Sequence, residues 1–336
     1  MPALKPIMTP SIKTAEKHKS PVFILVLFLL AVAFYLSLVV GKYPLTLVGL
    51  IKDDGIQRSV FLNLRLSRTL TAIIGGFTLG LCGYVFQTVF QNPLASPDMI
   101  GVSSGASVGA AVGIVLLGSS WVTPAAFSGA LLTMMLTLGI AAQDQTHNRS
   151  TVILCGVAIH ALAQTALVFL KTVCDPEKQL PAIEYWIMGT LSSVSLSSSV
   201  RTMLICIPCN ILLMMLFRHI QLLSLHEDEA KSLGMNVRVL RLLVLSTASL
   251  AISAVISTTG LISFLALISP HIAKRLLHKQ SRSTFFMSGL VGALLLCFSD
   301  ILARLGVQGE LPVSLFTSLL GCPILIGYAV RRRREL

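Results

Sequence analysis

Long blocks of apolar residues, separated by short polar segments, dominate this chain. The clearest blocks cover residues 21–40, 69–90, 199–217 and 240–256. At 1.5 Å of rise per residue, a helix needs about 20 residues to cross the roughly 30 Å of hydrocarbon in a bilayer. The blocks reach or nearly reach that length, and they are continuous rather than periodic. The pattern therefore predicts an all-α protein that crosses a membrane many times.

About ten spans can be placed along the chain. Ser, Gly and Pro dilute the third and the eighth. The predicted spans cover residues 21–40, 67–90, 96–117, 124–142, 151–173, 199–218, 240–260, 262–277, 284–304 and 313–330.

Composition and charge agree with a membrane location. Of 336 residues, 54% are hydrophobic and only 12% charged, whereas soluble domains carry about 25% charged residues. The net charge is +12. With an even number of spans, the basic segments fall on one side, which predicts that this side and both termini are cytoplasmic. The excess charge then meets anionic lipid rather than nucleic acid. We divide the chain into an N-terminal tail, 1–20, and a transmembrane domain, 21–336.

Motifs for catalysis are missing from the sequence. There is no G-x-x-x-x-G-K-[ST] phosphate loop and no H-E-x-x-H. Of 14 acidic residues, only Asp300 lies well inside a predicted span. Carriers driven by protons or sodium usually need several intramembrane carboxylates or a broken-helix ion site. We therefore expect a chain that is not an enzyme, holds no cofactor or metal, and takes any energy for transport from another subunit.

A polar segment, residues 226–237, follows the sixth predicted span. Glu227, Asp228 and Glu229 suit the positive N-terminal end of a short helix, and Gly234 suits its end. The segment favours a compact knob that projects from the membrane. The alternative is an amphipathic loop at the headgroups, although interfacial helices on anionic lipid usually carry Lys and Arg rather than three acids.

Five blocks in matching order resemble the permease subunits of ABC importers for iron chelates and vitamin B12, the FecCD permease family. The blocks are Arg65-Leu-Ser-Arg-Thr69; Gln91-Asn-Pro-Leu-Ala-Ser-Pro-Asp98 through Gly105; Glu229-Ala-Lys-Ser-Leu-Gly-Met-Asn-Val237; Gly260-Leu-Ile-Ser-Phe-Leu-Ala-Leu-Ile-Ser-Pro-His271; and Asp300-Ile-Leu-Ala-Arg304 with Glu310-Leu-Pro312 and Gly321-Cys-Pro323. The resemblance covers about residues 25–330. Three residues depart from the family pattern: Ser67 and Leu261 replace a common Pro, and Cys322 replaces a common Ala. The loss of proline affects the expected rigidity of two turns, but it does not change the resemblance to the family.

The resemblance implies the architecture and the partners of a type II ABC importer permease. Such a subunit has ten transmembrane helices and lies in the inner (plasma) membrane. It pairs with a second permease subunit, identical or paralogous, around a central path. Two ATPase subunits bind ATP and Mg on the cytoplasmic side, and a periplasmic solute-binding protein docks from the other side.

In such importers the segment after the sixth helix couples the permease to the ATPase. A small apolar ridge with a glycine allows close approach to a partner, which suits this role. The positions that match on this sequence are Glu227, Glu229, Ala230, Leu233, Gly234 and Asn236.

Family members use arginines at the periplasmic mouth to hold glutamates of the binding protein. Arg65, Arg68 and Arg304 match those positions. The first two lie one helical turn apart at the outer end of a span, against the usual charge bias. Alternatives are contact with lipid headgroups for Arg65 and Arg68, and an i,i+4 pair with Asp300 for Arg304.

The cytoplasmic gates of the family lie in the turn between the second and third helices and in the loop before the fifth. Prolines keep the first segment out of helix, which suits a constriction and equally suits a plain interhelical turn. The matching residues are Asn92, Leu94, Asn148, Arg149 and Ser150.

The resemblance implies import of a ferric siderophore or a similar iron chelate from periplasm to cytoplasm. Haem and vitamin B12 are alternative cargoes within the same family, and the sequence does not separate them. A secondary carrier or an intramembrane enzyme is the competing class. The shortage of intramembrane carboxylates and catalytic motifs argues against it.

Overall fold

The computed structural model describes residues 19–41, 43, 55–143, 149–225, 229, 236–277, 281–305 and 310–332. Across these ranges the chain forms twelve helices and no strand. Their bounds are α1 Lys19–Val39, α2 Gly55–Val89, α3 Val102–Leu117, α4 Val122–Ala141, α5 Arg149–Val173, α6 Gln179–Ile187, α7 Leu196–Met215, α8 Phe217–Leu222, α9 Val237–Thr259, α10 Leu265–Leu277, α11 Arg282–Arg304 and α12 Val313–Arg332.

The prediction of an all-α, polytopic membrane protein is confirmed. Each of the ten predicted spans coincides with a helix, although not every one reaches spanning length, and α6 and α8 are short additional helices. In the described ranges, seven helices (α1, α2, α4, α5, α7, α9 and α11) are long and apolar enough to cross a membrane. Helices α3 and α12 are shorter apolar helices, and α10 has 13 residues. Ten is therefore an approximate count of spans.

Helix α2 runs through the middle of the bundle, with 78% of its most apolar stretch buried. Gly80 faces the Ser288 carbonyl of α11, and Gly83 faces the Ala266 carbonyl of α10. A Cβ at either glycine would overlap these backbone atoms. Backbone contact of this kind is how small residues join membrane helices, and it makes α2, α10 and α11 one packed unit.

Small residues also join α3 to α4. Gly105 lies against Thr133, and Gly109 lies against the Ala125 carbonyl. Because glycine has no side chain, the α3 backbone comes close to the Gly129 and Ala125 carbonyls of α4 at these points. The four-residue spacing of glycines in α3 thus serves packing within the chain.

Helices α1 and α5 lie at the periphery. Only 17% and 22% of their most apolar stretches are buried. Large apolar side chains remain exposed on them, such as Phe28 on α1 and Leu162 and Phe169 on α5. Exposed apolar faces of this size fit lipid or another membrane subunit.

Candidate functional site

Five charged residues form a buried group that we call the arginine cluster: Arg65, Arg68, Asp300, Arg304 and Glu310. Asp300 is fully buried. Its Oδ1 accepts a hydrogen bond from Arg68 Nε at 2.7 Å, and its Oδ2 accepts one from Arg304. Arg68 Nη1 also donates to Glu310 Oε2 at 2.7 Å. A buried carboxylate is costly unless it is paired, and the two guanidinium groups supply that pairing.

The same arginines satisfy the C-terminal end of α1. Arg65 Nη1 donates to the Leu38 and Val39 carbonyls at 2.7 Å each. Arg304 Nη1 donates to the Ser37 carbonyl at 2.7 Å. The last carbonyls of a helix have no partner within the helix, and cations there also interact favourably with its dipole. The arginine cluster therefore joins α1, α2, α11 and the segment before α12.

The three arginines predicted to dock a binding protein all have partners within the chain. Their exposed fractions are 6% for Arg65, 7% for Arg68 and 8% for Arg304. The pair of Arg304 with Asp300, which was the alternative at that position, is present. Docking stays a prediction. The most exposed member of the cluster is Glu310, whose side chain is 32% exposed.

The other end of α2 leads into a polar turn, residues 90–96, which we call the α2–α3 turn. Asn92 Oδ1 accepts from the Leu94 amide at 2.9 Å and closes this turn. His271 Nε2 of α10 lies 2.9 Å from the Pro93 carbonyl. Leu94 is 59% exposed. The two predicted gate residues of this turn, Asn92 and Leu94, thus lie on a small unit that is attached to α10.

Gln91 attaches this turn to a second element. Its side-chain amide donates to the Ser224 carbonyl and, at 3.3 Å, to the Leu225 carbonyl. Those two residues follow α8 and are the last described residues before position 229. The backbone of Gln91 has φ +49°, in the left-handed region that side chains with a Cβ rarely adopt.

A polar cavity of about 470 Å³ lies beside this turn, between the end of α2, Ser224 and α10. Lys274 Nζ donates to Gln87 Oε1 at 2.9 Å across the α10–α2 contact. Gln87 in turn donates to the Leu267 carbonyl at 3.0 Å. No carboxylate lines this cavity among the described residues, so neutral groups and one lysine hold this end of the bundle.

The second predicted gate segment is described in part. Asn148 lies outside the described residues, Arg149 begins α5, and Ser150 is exposed. Gly156 of α5 lies against the Met99 carbonyl in the turn that follows the α2–α3 turn. The second gate segment therefore begins a helix that contacts the short helix Pro97–Ile100, which directly follows the α2–α3 turn.

The segment predicted to contact an ATPase is also described in part. Glu229 is helical and exposed. Asn236 caps α9, where its Oδ1 accepts from the Val239 amide at 3.2 Å. The predicted coupling residues outside the described ranges are Glu227, Ala230, Leu233 and Gly234.

Comparison with known families decides what kind of chain this is. The model of the FecCD transport family matches residues 29–332. The chain belongs to the FecCD transport family. Its twelve described helices and apolar spans are those of a multi-pass membrane permease.

Two relatives illustrate the range of the FecCD family. The hemin transport system permease protein HmuU of Yersinia pestis is 33% identical over 288 residues, covering 82% of this chain and 84% of HmuU. The molybdate import system permease protein MolB of Haemophilus influenzae is 30% identical over 320 residues, covering 90% of this chain and 94% of MolB. This chain thus matches nearly whole permease subunits.

One solved structure matches the FecCD fold over nearly the whole chain. It is an ABC transporter assigned to the metal-chelate type, in an inward-facing conformation. The TM-score is 0.83 at 30% identity, and the match covers 93% of this chain and 99% of the solved one. The resemblance read from the sequence is confirmed: the chain is a permease subunit of a type II ABC importer, and it is not itself an enzyme.

Two FecCD residues that matter in the structure were not singled out from the sequence. Glu310 lies in a recognised block, yet its pairing with Arg68 spans 242 positions. Gln91 opens another recognised block, and its contact with Ser224 spans 133 positions. Their only signal was membership of those blocks. For metals, no group of three His, Cys, Asp or Glu side chains suited to binding an ion occurs within the described ranges.

Proposed function

We propose that this permease carries a ferric siderophore or a similar iron chelate from the periplasm to the cytoplasm. The observation that carries the proposal is the whole-chain match to an ABC transporter assigned to the metal-chelate type. HmuU, named for hemin transport, adds a relative whose cargo is an iron chelate. Haem itself and vitamin B12 are the alternative cargoes. A secondary carrier is a remote alternative, because Asp300, the acid inside a span, is fully paired with arginines.

The proposed assembly contains two permease subunits, identical or paralogous, two ATPase subunits and a periplasmic binding protein. The exposed apolar face of α5 supports a membrane partner, because a large exposed apolar patch marks a surface for a protein or membrane partner. We assign the ATPase contact to residues 226–237, of which Glu229 and Asn236 are exposed. ATP and Mg belong to the ATPase subunits.

The proposed orientation puts both termini in the cytoplasm of a cell with an inner membrane. The supporting observation is the charge pattern, with basic residues before α1, around the end of α10 and after α12. The α2–α3 turn then lies on the cytoplasmic side, where we assign the gate. The arginine cluster lies on the periplasmic side, where we assign docking to Arg65, Arg68 and Arg304.

Uptake by proteoliposomes tests the cargo. The permease, its partner ATPase and its binding protein are reconstituted and offered a ferric siderophore, haem, cobalamin and molybdate separately, with ADP in place of ATP as the control. We expect ATP-dependent uptake of the ferric siderophore, at least tenfold above that of molybdate. Uptake of haem or cobalamin alone would select an alternative cargo, and uptake without ATP would reject the ABC importer assignment.

A further inference from the structure

Gln91 occupies an unusual position at the end of α2. The helix ends at Val89, and two residues later the backbone enters the left-handed region with φ +49°. For residues with a Cβ this conformation is unfavourable and persists where other contacts hold it. At Gln91 the backbone amide donates to the Thr88 carbonyl at 3.2 Å, and the side chain adds further contacts.

The side-chain amide of Gln91 donates to the Ser224 and Leu225 carbonyls. Both carbonyls lie at the end of the connection from α8, immediately before the proposed ATPase-contact segment, 226–237. One side chain therefore connects the entry of that segment to the α2–α3 turn.

The turn behaves as a unit at this contact. The Asn92 side chain accepts from the Leu94 amide at 2.9 Å, and the Ala95 amide donates to the Asn92 carbonyl at 3.0 Å. A displacement at Gln91 is therefore carried to Leu94, the exposed apolar residue of the proposed gate. The adjoining cavity of about 470 Å³ leaves room for such a displacement, which a close-packed core would resist.

We propose that Gln91 is a positioning residue that transmits movement of Ser224 and Leu225, at the end of the connection from α8, to the α2–α3 turn. This inference rests on the proposed function, because it assumes an ATPase at residues 226–237. In this role the amide link stays intact while Ser224, Leu225 and the α2–α3 turn move together. Losing the link leaves ATP hydrolysis in place but separates it from opening of the path.

Two substitutions separate the link from the backbone conformation. Gln91→Gly relieves the left-handed backbone and removes the amide, because glycine adopts positive φ freely. Gln91→Asn keeps an amide and a residue type that tolerates this region, but it is one methylene too short for the same reach. Asn63→Ala is the matched control, since Asn63 is also exposed on α2 and donates one side-chain hydrogen bond, to Ser59 Oγ at 3.1 Å.

The test measures cargo uptake and ATP hydrolysis in the same proteoliposomes of the complete complex. We expect both Gln91 variants to assemble with the ATPase and to hydrolyse ATP, with cargo moved per ATP reduced at least fivefold. Asn63→Ala should keep the wild-type ratio. A wild-type ratio in both Gln91 variants would overturn the inference, as would loss of ATPase binding in them, which would make Gln91 a structural residue. Cargo uptake by the wild-type complex tests the proposed function. The cargo moved per ATP in a Gln91 variant, relative to wild type, tests the role of Gln91, so failure of one proposal can be told from failure of the other.

Discussion

The two ends of α2 are held by different physical means. At one end, Arg68 donates to two carboxylates, and one of them, Asp300, is fully buried. At the other end, Gln91 and His271 meet backbone carbonyls beside a polar cavity of about 470 Å³. One end is a network of buried charge pairs, and the other is held by hydrogen bonds of neutral groups and one lysine, with no ion pair among the described residues.

This difference indicates where the helix is free to rearrange. Separating one partner of a buried charge pair costs about 3–5 kcal/mol. A neutral hydrogen bond contributes about 0.5–1.5 kcal/mol net, and water replaces it at an exposed site. We infer that the arginine cluster stays fixed during transport while the Gln91 end moves. Movement and rigidity are thus assigned to opposite ends of a single helix.

The largest effect should come from Asp300→Ala. The substitution leaves Arg304 without its carboxylate and Arg68 with only Glu310, so we expect a loss of about 3–5 kcal/mol in folding free energy. The melting temperature of the purified permease measures the effect. It is obtained by size-exclusion chromatography of samples heated to different temperatures.

The chain offers a matched control for this substitution. Glu184 pairs with Lys171 at 2.9 Å, but its side chain is 45% exposed. Exposed pairs contribute about 0.2–1 kcal/mol, so Glu184→Ala should change the melting temperature little. Equal effects of the two substitutions would show that the arginine cluster is not the rigid end.

A smaller effect is expected from Glu310→Gln, which sharpens the docking proposal. Charge reversal at Arg68 would disrupt the buried network, so it cannot separate docking from folding. Glu310 is partly exposed, and removing its charge leaves Arg68 with more capacity to bind a carboxylate of a partner. If Arg68 docks the binding protein, affinity should rise about two- to tenfold, or roughly 0.4–1.4 kcal/mol.

Surface plasmon resonance with the binding protein and the permease in nanodiscs measures this affinity. The Asp300→Ala protein, if it can be purified, is not a suitable comparison, because its fold is expected to be impaired. Glu184→Ala again serves as the control for a lost surface carboxylate. Unchanged or weaker binding by Glu310→Gln would remove Arg68 from the docking surface.

The sequence predicted most of the fold because apolar length is a local property. The block 21–40 became α1 with similar bounds, and the block 69–90 became the C-terminal part of α2, which begins earlier, at Gly55. The eighth span was diluted by polar residues, and it became α10, with 13 residues. Its burial depends on contact with α2 at Gly83, which no local pattern reveals.

The sequence indicated the arginines of the cluster and, as an alternative, the Arg304–Asp300 pair, but not the pairings between distant positions. Asp300 stood out as an acid in an apolar span, and Arg65 and Arg68 stood out as cations on the outer side. The contact of Arg68 with Asp300 joins positions 232 apart, and such a contact arises only when helices pack. From the sequence we therefore expected the arginines to bind another protein, and in the structure they also have partners within this chain.

Hydrogen exchange along α2 tests the division between a fixed and a moving end most directly. The reconstituted complex is compared without nucleotide and after trapping with ATP and vanadate, and exchange is followed by mass spectrometry. We predict that protection changes together in residues 90–96 and 219–225, while residues 66–72 and 300–304 stay unchanged. Altered exchange around Arg68 and Asp300, with constant exchange at Gln91 and Ser224, would contradict the account.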